Sequence, residues 1–235
     1  MSPGNLPIVG LDKLSLVDYP DKLCATVTVG GCNFRCPYCD QGDIVFDYLP
    51  MPKLTEDKVI EILHPRIGFL DGVCVTGGEP LIHREMLNFL GRLKSIGAKV
   101  KMETNGSHPR RLRIMLLRRY IDYVAMDVKV QPKRYPELVQ YKVMPEEIED
   151  SIQLIRRSKA DYEFRTTMVP GIVTEKDMLE IVHMLAGSKR YALRQFKPGK
   201  TISKECDKIQ PYSDNEMKTF RDLAAPYFAE TRLDL

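Results

Sequence analysis

Short apolar runs alternate with longer amphipathic segments along most of the chain. Runs of strand length that are rich in β-branched residues are typical of buried strands, and segments with an apolar position every third or fourth residue are typical of helices. We therefore predict six strands, each followed by a helix except for an irregular stretch after the sixth. The predicted strands are Leu23–Val29, Gly72–Thr76, Lys99–Glu103, Asp122–Val128, Tyr162–Met168 and Tyr191–Phe196.

Proline and capping residues mark the beginnings of several predicted helices. Pro109 and Pro145 suit a first helical turn, and the pairs Thr174/Asp177 and Ser213/Glu216 have capping-box spacing. The predicted helices are Leu54–Leu63, Ile82–Ile96, Pro109–Arg119, Pro145–Ser158, Glu175–Leu185, and a last one from Ser213 to about Tyr227.

The alternation of strands and helices predicts an α/β fold with parallel pairing and right-handed crossovers. Either a doubly wound sheet or an incomplete barrel satisfies it. We expect residues 1–20 to be an N-terminal extension, with a short hairpin over the bottom or edge of the barrel, and residues 21–235 to be one domain. In such folds functional residues lie at the carboxyl ends of the strands.

Composition excludes several classes of protein. The 235 residues are 43% hydrophobic, which is enough for a core and argues against intrinsic disorder. A net charge of +3 is far below that of a dedicated nucleic-acid binder. The sequence contains neither an apolar run of membrane-spanning length nor a signal-peptide pattern. We therefore expect a cytoplasmic protein that binds neither nucleic acid nor membrane.

Three of the six cysteines fall in one short segment directly after the first predicted strand. Cys32, Cys36 and Cys39 lie in a loop that begins with two glycines. A structural zinc site would need a fourth protein ligand, for which the candidates are Cys74, Cys206 and His83. A [4Fe–4S] cluster held by three cysteines would instead leave one iron open to a chelating substrate.

A Gly-Gly-Glu sequence follows the second predicted strand. Gly77 and Gly78 allow a close approach of the backbone to a ligand, and Glu79 with nearby carbonyls can accept hydrogen bonds from an ammonium group. By itself the motif fits equally well a tight turn with a capping acid. Its position beside the cysteine loop favours a shared site.

These two motifs together resemble those of the radical S-adenosylmethionine (SAM) superfamily. The C-x3-C-x2-C pattern with an aromatic residue before its last cysteine is present as Cys32, Cys36, Tyr38 and Cys39, and the Gly-Gly-Glu motif as Gly77–Glu79. The resemblance implies an incomplete (βα)6 TIM-like barrel of the radical SAM type. It also implies a [4Fe–4S] cluster on the three cysteines, an amine contact from Gly77–Glu79, and an adenine contact from the Tyr38 backbone.

The chain further resembles the glycyl-radical-enzyme activases within that superfamily. Gly10–Pro20 resembles the extension of anaerobic ribonucleoside-triphosphate reductase activating proteins. Two departures occur: Glu103 replaces the usual Asp, and Asp40-Gln41 replaces the common His-Asn. The further SAM-binding residues that the resemblance implies are Thr104, Asn105, Asp127, Lys129 and Arg165, with Glu103 and Asp127 as ligands of a monovalent cation.

The resemblance predicts an oxidoreductase that installs a glycyl radical on a partner enzyme, with anaerobic ribonucleotide reductase as the expected partner. An external one-electron donor such as flavodoxin or ferredoxin would reduce the cluster, and the active form is expected where oxygen is scarce. Three alternatives stay open: an activase of the pyruvate formate-lyase type, a radical SAM enzyme acting on a small molecule such as a deazapurine precursor, and a non-catalytic zinc module. For Arg165, a salt bridge at the barrel rim is the alternative to SAM binding.

Overall fold

A single twisted sheet organises the protein. The computed structural model describes residues 6–234, and within them eight strands pair strictly in sequence order. The strands are β1 (Ile8–Ser15), β2 (Cys24–Val29), β3 (Gly72–Gly77), β4 (Lys99–Thr104), β5 (Tyr123–Asp127), β6 (Asp161–Met168), β7 (Arg190–Gln195) and β8 (Glu230–Asp234).

The strands β2 to β8 run parallel, so their carboxyl ends meet at one edge of the sheet. Strand β1 pairs antiparallel with β2 as a hairpin. Between residues 6 and 234 no ladder joins β1 to β8, and the sheet stays open. All six predicted strands are present, and the expected α/β incomplete barrel is confirmed.

Eight α-helices lie between successive strands within residues 6–234. They are α1 (Gly42–Phe46), α2 (Glu56–Leu63), α3 (Met86–Ser95), α4 (Pro109–Leu117), α5 (Tyr135–Val139), α6 (Pro145–Arg157), α7 (Glu175–Leu185) and α8 (Asp214–Ala224). Both predicted capping boxes form, at Thr174/Asp177 and Ser213/Glu216. The short helices α1 and α5 lie outside the predicted pattern.

The core lies between the sheet and its helices. Strand interiors such as β3, whose first four residues are all buried, carry nearly continuous apolar runs because both faces are covered. Val27, Val75 and Val100 on neighbouring strands are fully buried. The rigid strands therefore hold the loops at their carboxyl ends at fixed positions.

The expected N-terminal hairpin is part of the sheet. Strand β1 lies at its edge, and Ile8 is fully buried. The first five residues of the predicted extension lie outside the described residues, and a domain boundary after residue 20 stays a prediction. No helix between residues 6 and 234 combines the length and apolarity needed to cross a bilayer.

Candidate active site

The loops at the carboxyl ends of β2 to β7 enclose a cavity of about 500 Å³, within the range of small-molecule sites. Twelve of the thirteen residues proposed from the sequence line it, and the exception is Glu79. The twelve are Cys32, Cys36, Tyr38, Cys39, Gly77, Gly78, Glu103, Thr104, Asn105, Asp127, Lys129 and Arg165.

 The structure therefore brings the sequence-proposed residues together at one site.

The cysteine loop is held over the cavity by backbone hydrogen bonds from a segment near the C-terminus. The N–H groups of Ile202 and Ser203 donate to the carbonyls of Cys39 and Pro37, at 3.0 and 2.9 Å. Burial raises the pKa of the Cys32 thiol to about 12 and that of Cys36 to about 11, and it also raises the pKa of Cys39. A bound metal centre is the ordinary means of ionising such thiols, because it stabilises the thiolate directly.

The candidate fourth ligands for zinc lie elsewhere. Cys74 is buried in β3 and packs with Cys24 and Tyr123 in a separate cluster, Cys206 is buried, and the His83 ring nitrogen Nε2 lies 2.8 Å from the carbonyl of Gly30. Among residues 6–234, no three His, Cys, Asp or Glu side chains are grouped so that they could hold one metal ion. The cysteine and histidine ligands that the described cavity wall offers are the three thiols, a donor set that fits a cubane with one open iron.

Gly77, the last residue of β3, and Gly78 allow the glycine loop to dock on the cysteine loop. A Cβ on Gly77, whose φ is +125°, would lie 2.1 Å from the Val29 carbonyl oxygen, and one on Gly78 would lie 2.0 Å from that of Gly31. The N–H groups of Gly78 and Glu79 donate to these same carbonyls, at 3.0 and 2.9 Å. The close approach that requires glycine is thus one between two protein loops.

Glu79 is fully buried behind the cavity wall. Its Oε1 accepts hydrogen bonds from the Leu81 N–H at 3.0 Å and the Thr104 hydroxyl at 2.9 Å, while Oε2 accepts one from the Asn105 N–H at 2.6 Å. Burial raises the pKa of this carboxyl to about 7, against the lowering effect of the three hydrogen bonds. The bond to Leu81 matches the capping-acid alternative, and an ammonium contact from this side chain stays a prediction.

An amide and hydroxyl network lies against the first cysteine. The Asn105 side-chain nitrogen donates to the Asn33 Oδ1 at 3.0 Å and lies 4.0 Å from the Cys32 sulfur. The Asn33 side-chain nitrogen donates to the Ser107 Oγ at 2.9 Å, and the Ser107 hydroxyl donates back to the Asn105 Oδ1 at 2.6 Å. The network fixes the Asn105 amide with its N–H₂ group toward Cys32. Asn33 and Ser107 are not among the residues proposed from the sequence, although both lie within two residues of proposed site residues.

A chain of ion pairs crosses the cavity floor between β4, β5 and β6. Arg165 on β6 contacts Glu103 Oε1 at 2.6 Å through Nη1 and Asp127 Oδ1 at 2.9 Å through Nε. The Lys101 ammonium lies 2.9 Å from the same Glu103 oxygen, and the Thr76 hydroxyl donates to the other one at 2.8 Å. Although burial acts to raise it, Arg165 and Lys101 hold the pKa of Glu103 well below its usual range. The salt-bridge alternative for Arg165 is therefore observed.

Lys129 connects the ion pairs to the cysteine loop. Its ammonium lies 3.6 Å from Asp127 Oδ2, and its backbone N–H donates to the buried Tyr135 hydroxyl at 2.9 Å. The positive charge of Lys129 acts to lower the pKa of all three loop thiols against the dominant effect of burial. It is therefore placed to stabilise negative charge that gathers at the cysteine loop.

A partial barrel with three thiols in the first loop and a glycine loop docked against it is the arrangement expected of an α/β protein that holds an iron–sulfur cluster. The profile of the radical SAM superfamily matches residues 26–185, so the chain belongs to the radical SAM superfamily. Membership implies a [4Fe–4S] cluster and SAM.

Two kinds of relative are similar in sequence. A Methanocaldococcus jannaschii protein named as a candidate glycyl-radical enzyme activating enzyme is 31% identical over 227 residues, which cover 94% of this chain and 92% of that protein. The 7-carboxy-7-deazaguanine synthase of Hyperthermus butylicus is 38% identical over 120 residues, 49% of this chain and 50% of that protein.

Solved structures share the fold at low sequence identity. Streptococcus suis SuiB bound to S-adenosylmethionine superposes with a TM-score of 0.66 at 14% identity, over 87% of this chain and 48% of SuiB. Coproporphyrinogen III oxidase from Escherichia coli gives 0.56 at 16% identity, over 88% of this chain and 54% of that chain. The chain thus spans about half the length of these solved structures.

Proposed function

We propose that this protein reductively cleaves SAM and generates a glycyl radical on a partner enzyme. The observation that carries the proposal is the convergence of three thiols, the glycine loop and the ends of β4 to β6 on one cavity. The full-length similarity to the Methanocaldococcus jannaschii protein supports an activase over other radical SAM activities.

In this proposal Cys32, Cys36 and Cys39 hold the cluster, as their shared cavity and the chemistry of their thiols suggest. When bound and reduced, the cluster would supply one electron to SAM, whose bond between the sulfur and the 5′ carbon would break to give methionine and a 5′-deoxyadenosyl radical. A hydrogen atom would pass from a glycine of the partner to that radical, to give 5′-deoxyadenosine and a glycyl radical on the partner.

The remaining wall residues bind and orient SAM. The cavity-lining backbone of Gly77 and Gly78 offers acceptors for the methionyl amine, and the Tyr38 backbone contacts the adenine. Arg165 and Lys129 carry the positive charge that a carboxylate requires, and Thr104 and Asn105 set the shape of the wall between them. The cavity walls exclude water while the cofactor supplies the chemistry.

Anaerobic ribonucleotide reductase is our proposed partner, and flavodoxin or ferredoxin the proposed electron donor. The experiment combines the anaerobically reconstituted, reduced protein with SAM and with reductase that carries deuterated glycine. We expect deuterium in 5′-deoxyadenosine and a glycyl radical signal in the electron paramagnetic resonance spectrum. Reductase whose radical-site glycine is replaced by alanine is the control and should give neither. Deuterium-free 5′-deoxyadenosine and no radical would contradict this partner, and labelled pyruvate formate-lyase would then test the other activase class.

A small-molecule radical SAM reaction is the second candidate, because the similarity to 7-carboxy-7-deazaguanine synthase reaches 38% over half of this chain. Incubation with a deuterated metabolite extract separates the two candidates. Transfer of deuterium from a metabolite, without transfer from protein glycine, would favour this second function.

A further inference from the structure

The two carboxylates that the sequence proposes as ligands of a monovalent metal cation already have protein partners. The Glu103 carboxylate is contacted by Arg165 at 2.6 Å and by Lys101 at 2.9 Å, and it accepts a hydrogen bond from the Thr76 hydroxyl at 2.8 Å. The Asp127 carboxylate forms ion pairs with Arg165 at 2.9 Å and with Lys129 at 3.6 Å. The acceptor oxygens that would coordinate sodium or potassium are thus engaged with guanidinium, ammonium and hydroxyl donors.

Further ion pairs surround these two carboxylates. Glu163 on β6 adds a third carboxylate, which lies 4.0 Å from Lys101 and 2.5 Å from Arg232, and Arg194 lies 4.0 Å from Asp127. Asp234 in turn lies 3.4 Å from Arg232, so that cations and carboxylates alternate through this network. Two like charges about 4 Å apart near a protein surface repel by about 4 kcal/mol, so a metal cation placed beside Glu103 would be repelled by Arg165 and Lys101.

Lys101 is the residue that distinguishes this arrangement. Its side chain is 3% exposed, and its ammonium donates to the Asp18 carbonyl at 2.6 Å as well as contacting Glu103. A buried ammonium is stable only where such partners fix it. Glu103 is one methylene longer than the aspartate that the activase pattern usually has, and with this side chain it reaches both Lys101 and Arg165.

We propose that the Lys101 ammonium, together with the Arg165 guanidinium, takes the place of a metal cation at this site, so that SAM binding is independent of sodium and potassium. The inference rests on the proposed function, since it concerns the same SAM site. Lys101 acts through Glu103 and is a positioning residue. It neutralises the carboxylate and keeps Glu103 turned toward Arg165.

The test measures SAM binding to the reconstituted holoenzyme by equilibrium dialysis in sodium, potassium or tetramethylammonium chloride at equal ionic strength. We expect the three dissociation constants to agree within about twofold, and ²³Na resonance broadening to show no saturable binding. Affinity that is about tenfold higher in sodium or potassium would overturn the inference. This measurement uses the unmodified protein and does not depend on any variant folding.

The variant Lys101→Met removes the charge at similar length. We expect SAM affinity to fall about tenfold in tetramethylammonium and to recover in sodium or potassium, which would occupy the vacated position. Unchanged affinity, or a loss that neither metal restores in a protein with normal circular dichroism, would overturn the role of Lys101. Lys99→Met, on the same strand but exposed, is the matched control and should bind SAM as the unmodified protein does.

The outcomes separate this inference from the proposed function. If SAM binds and is cleaved but only with sodium or potassium present, the inference fails and the proposed function stands. If SAM binds equally in all three salts but is never cleaved, the proposed function fails and the cation independence stands.

Discussion

The carboxylate of Glu79 accepts a hydrogen bond from the backbone N–H of Asn105 at 2.6 Å, which joins the end of β3 to the end of β4. Glu79→Gln should weaken this connection between the two strands. Both oxygens of Glu79 accept hydrogen bonds, and the N–H₂ group of glutamine would place a donor against one of these donors. We expect a loss of about 1–3 kcal/mol in the free energy of unfolding, measured by urea unfolding of the metal-free protein. Glu85→Gln, close by on the other side of the turn, is the control; an equal loss there would argue against a specific role.

Glu79 should also give the protein a pH-dependent stability. Its pKa is about 7 in the folded protein, against an ordinary value of 4.5, so between these values the folded state binds more protons than the unfolded state. The free energy of unfolding therefore falls as pH rises through this window, by about 3 kcal/mol over the full window. Urea unfolding across this pH range measures the slope. Glu79→Gln should lack this contribution, and identical slopes in both proteins would contradict the assignment.

Replacing Cys32, Cys36 or Cys39 singly by alanine should abolish the cluster and reductive SAM cleavage, because each thiol is one of three ligands. Iron and sulfide analysis and the yield of 5′-deoxyadenosine measure the two effects, and we expect about four irons per chain in the unmodified protein. Cys206→Ala removes a buried thiol away from the cavity wall and should retain both properties. Stoichiometric zinc without iron would support the zinc-module alternative instead.

Gly78→Ala should separate the glycine loop from the cysteine loop, since the new Cβ would lie 2.0 Å from the Gly31 carbonyl oxygen. We expect at least a hundredfold loss of SAM cleavage, equivalent to about 2.7 kcal/mol. Gly42→Ala is the matched control, because its Cβ would meet nothing closer than the Ile202 side chain at 3.6 Å. Full activity of Gly78→Ala would show that the two loops can move apart without consequence.

Asn105→Ala should lower the reduction potential of the cluster. The Asn105 side-chain nitrogen lies 4.0 Å from the Cys32 sulfur, where its N–H stabilises added negative charge. A hydrogen bond of about 1 kcal/mol corresponds to roughly 40 mV for a one-electron couple. A redox titration followed by electron paramagnetic resonance measures the potential. The exposed Asn215→Ala serves as the reference, and a potential unchanged from it would exclude Asn105 as a donor to the cluster loop.

Periodicity predicted the strongly patterned elements well, and α7 has the predicted bounds Glu175–Leu185. It missed β8, whose sequence Glu-Thr-Arg-Leu-Asp has one large apolar residue and forms a strand only because β7 supplies a partner. Helix α3 begins at Met86 rather than at Ile82, since Pro80–Ile82 forms a 3₁₀ turn capped by Glu79. Tertiary pairing and capping decided these cases, and local propensity did not.

In the site, too, some residues could be predicted from the sequence and others only from the folded structure. Motif spacing predicted which residues share the cavity, because parallel strands present their carboxyl ends together. It missed Lys101, which is separated from Glu103 by one residue on the same face of β4 and looks like an ordinary strand lysine. Its second partner, the Asp18 carbonyl, comes from a distant part of the chain, so only the folded structure reveals that its charge is buried.

The backbone bonds from Ile202 and Ser203 to the cysteine loop also bear on how the protein is made. A nascent chain presents its three thiols well before the ribosome has delivered residues 202 and 203. Until then the loop lacks both backbone bonds, so iron and sulfide that arrived earlier would meet a loop that is not yet held in its final position.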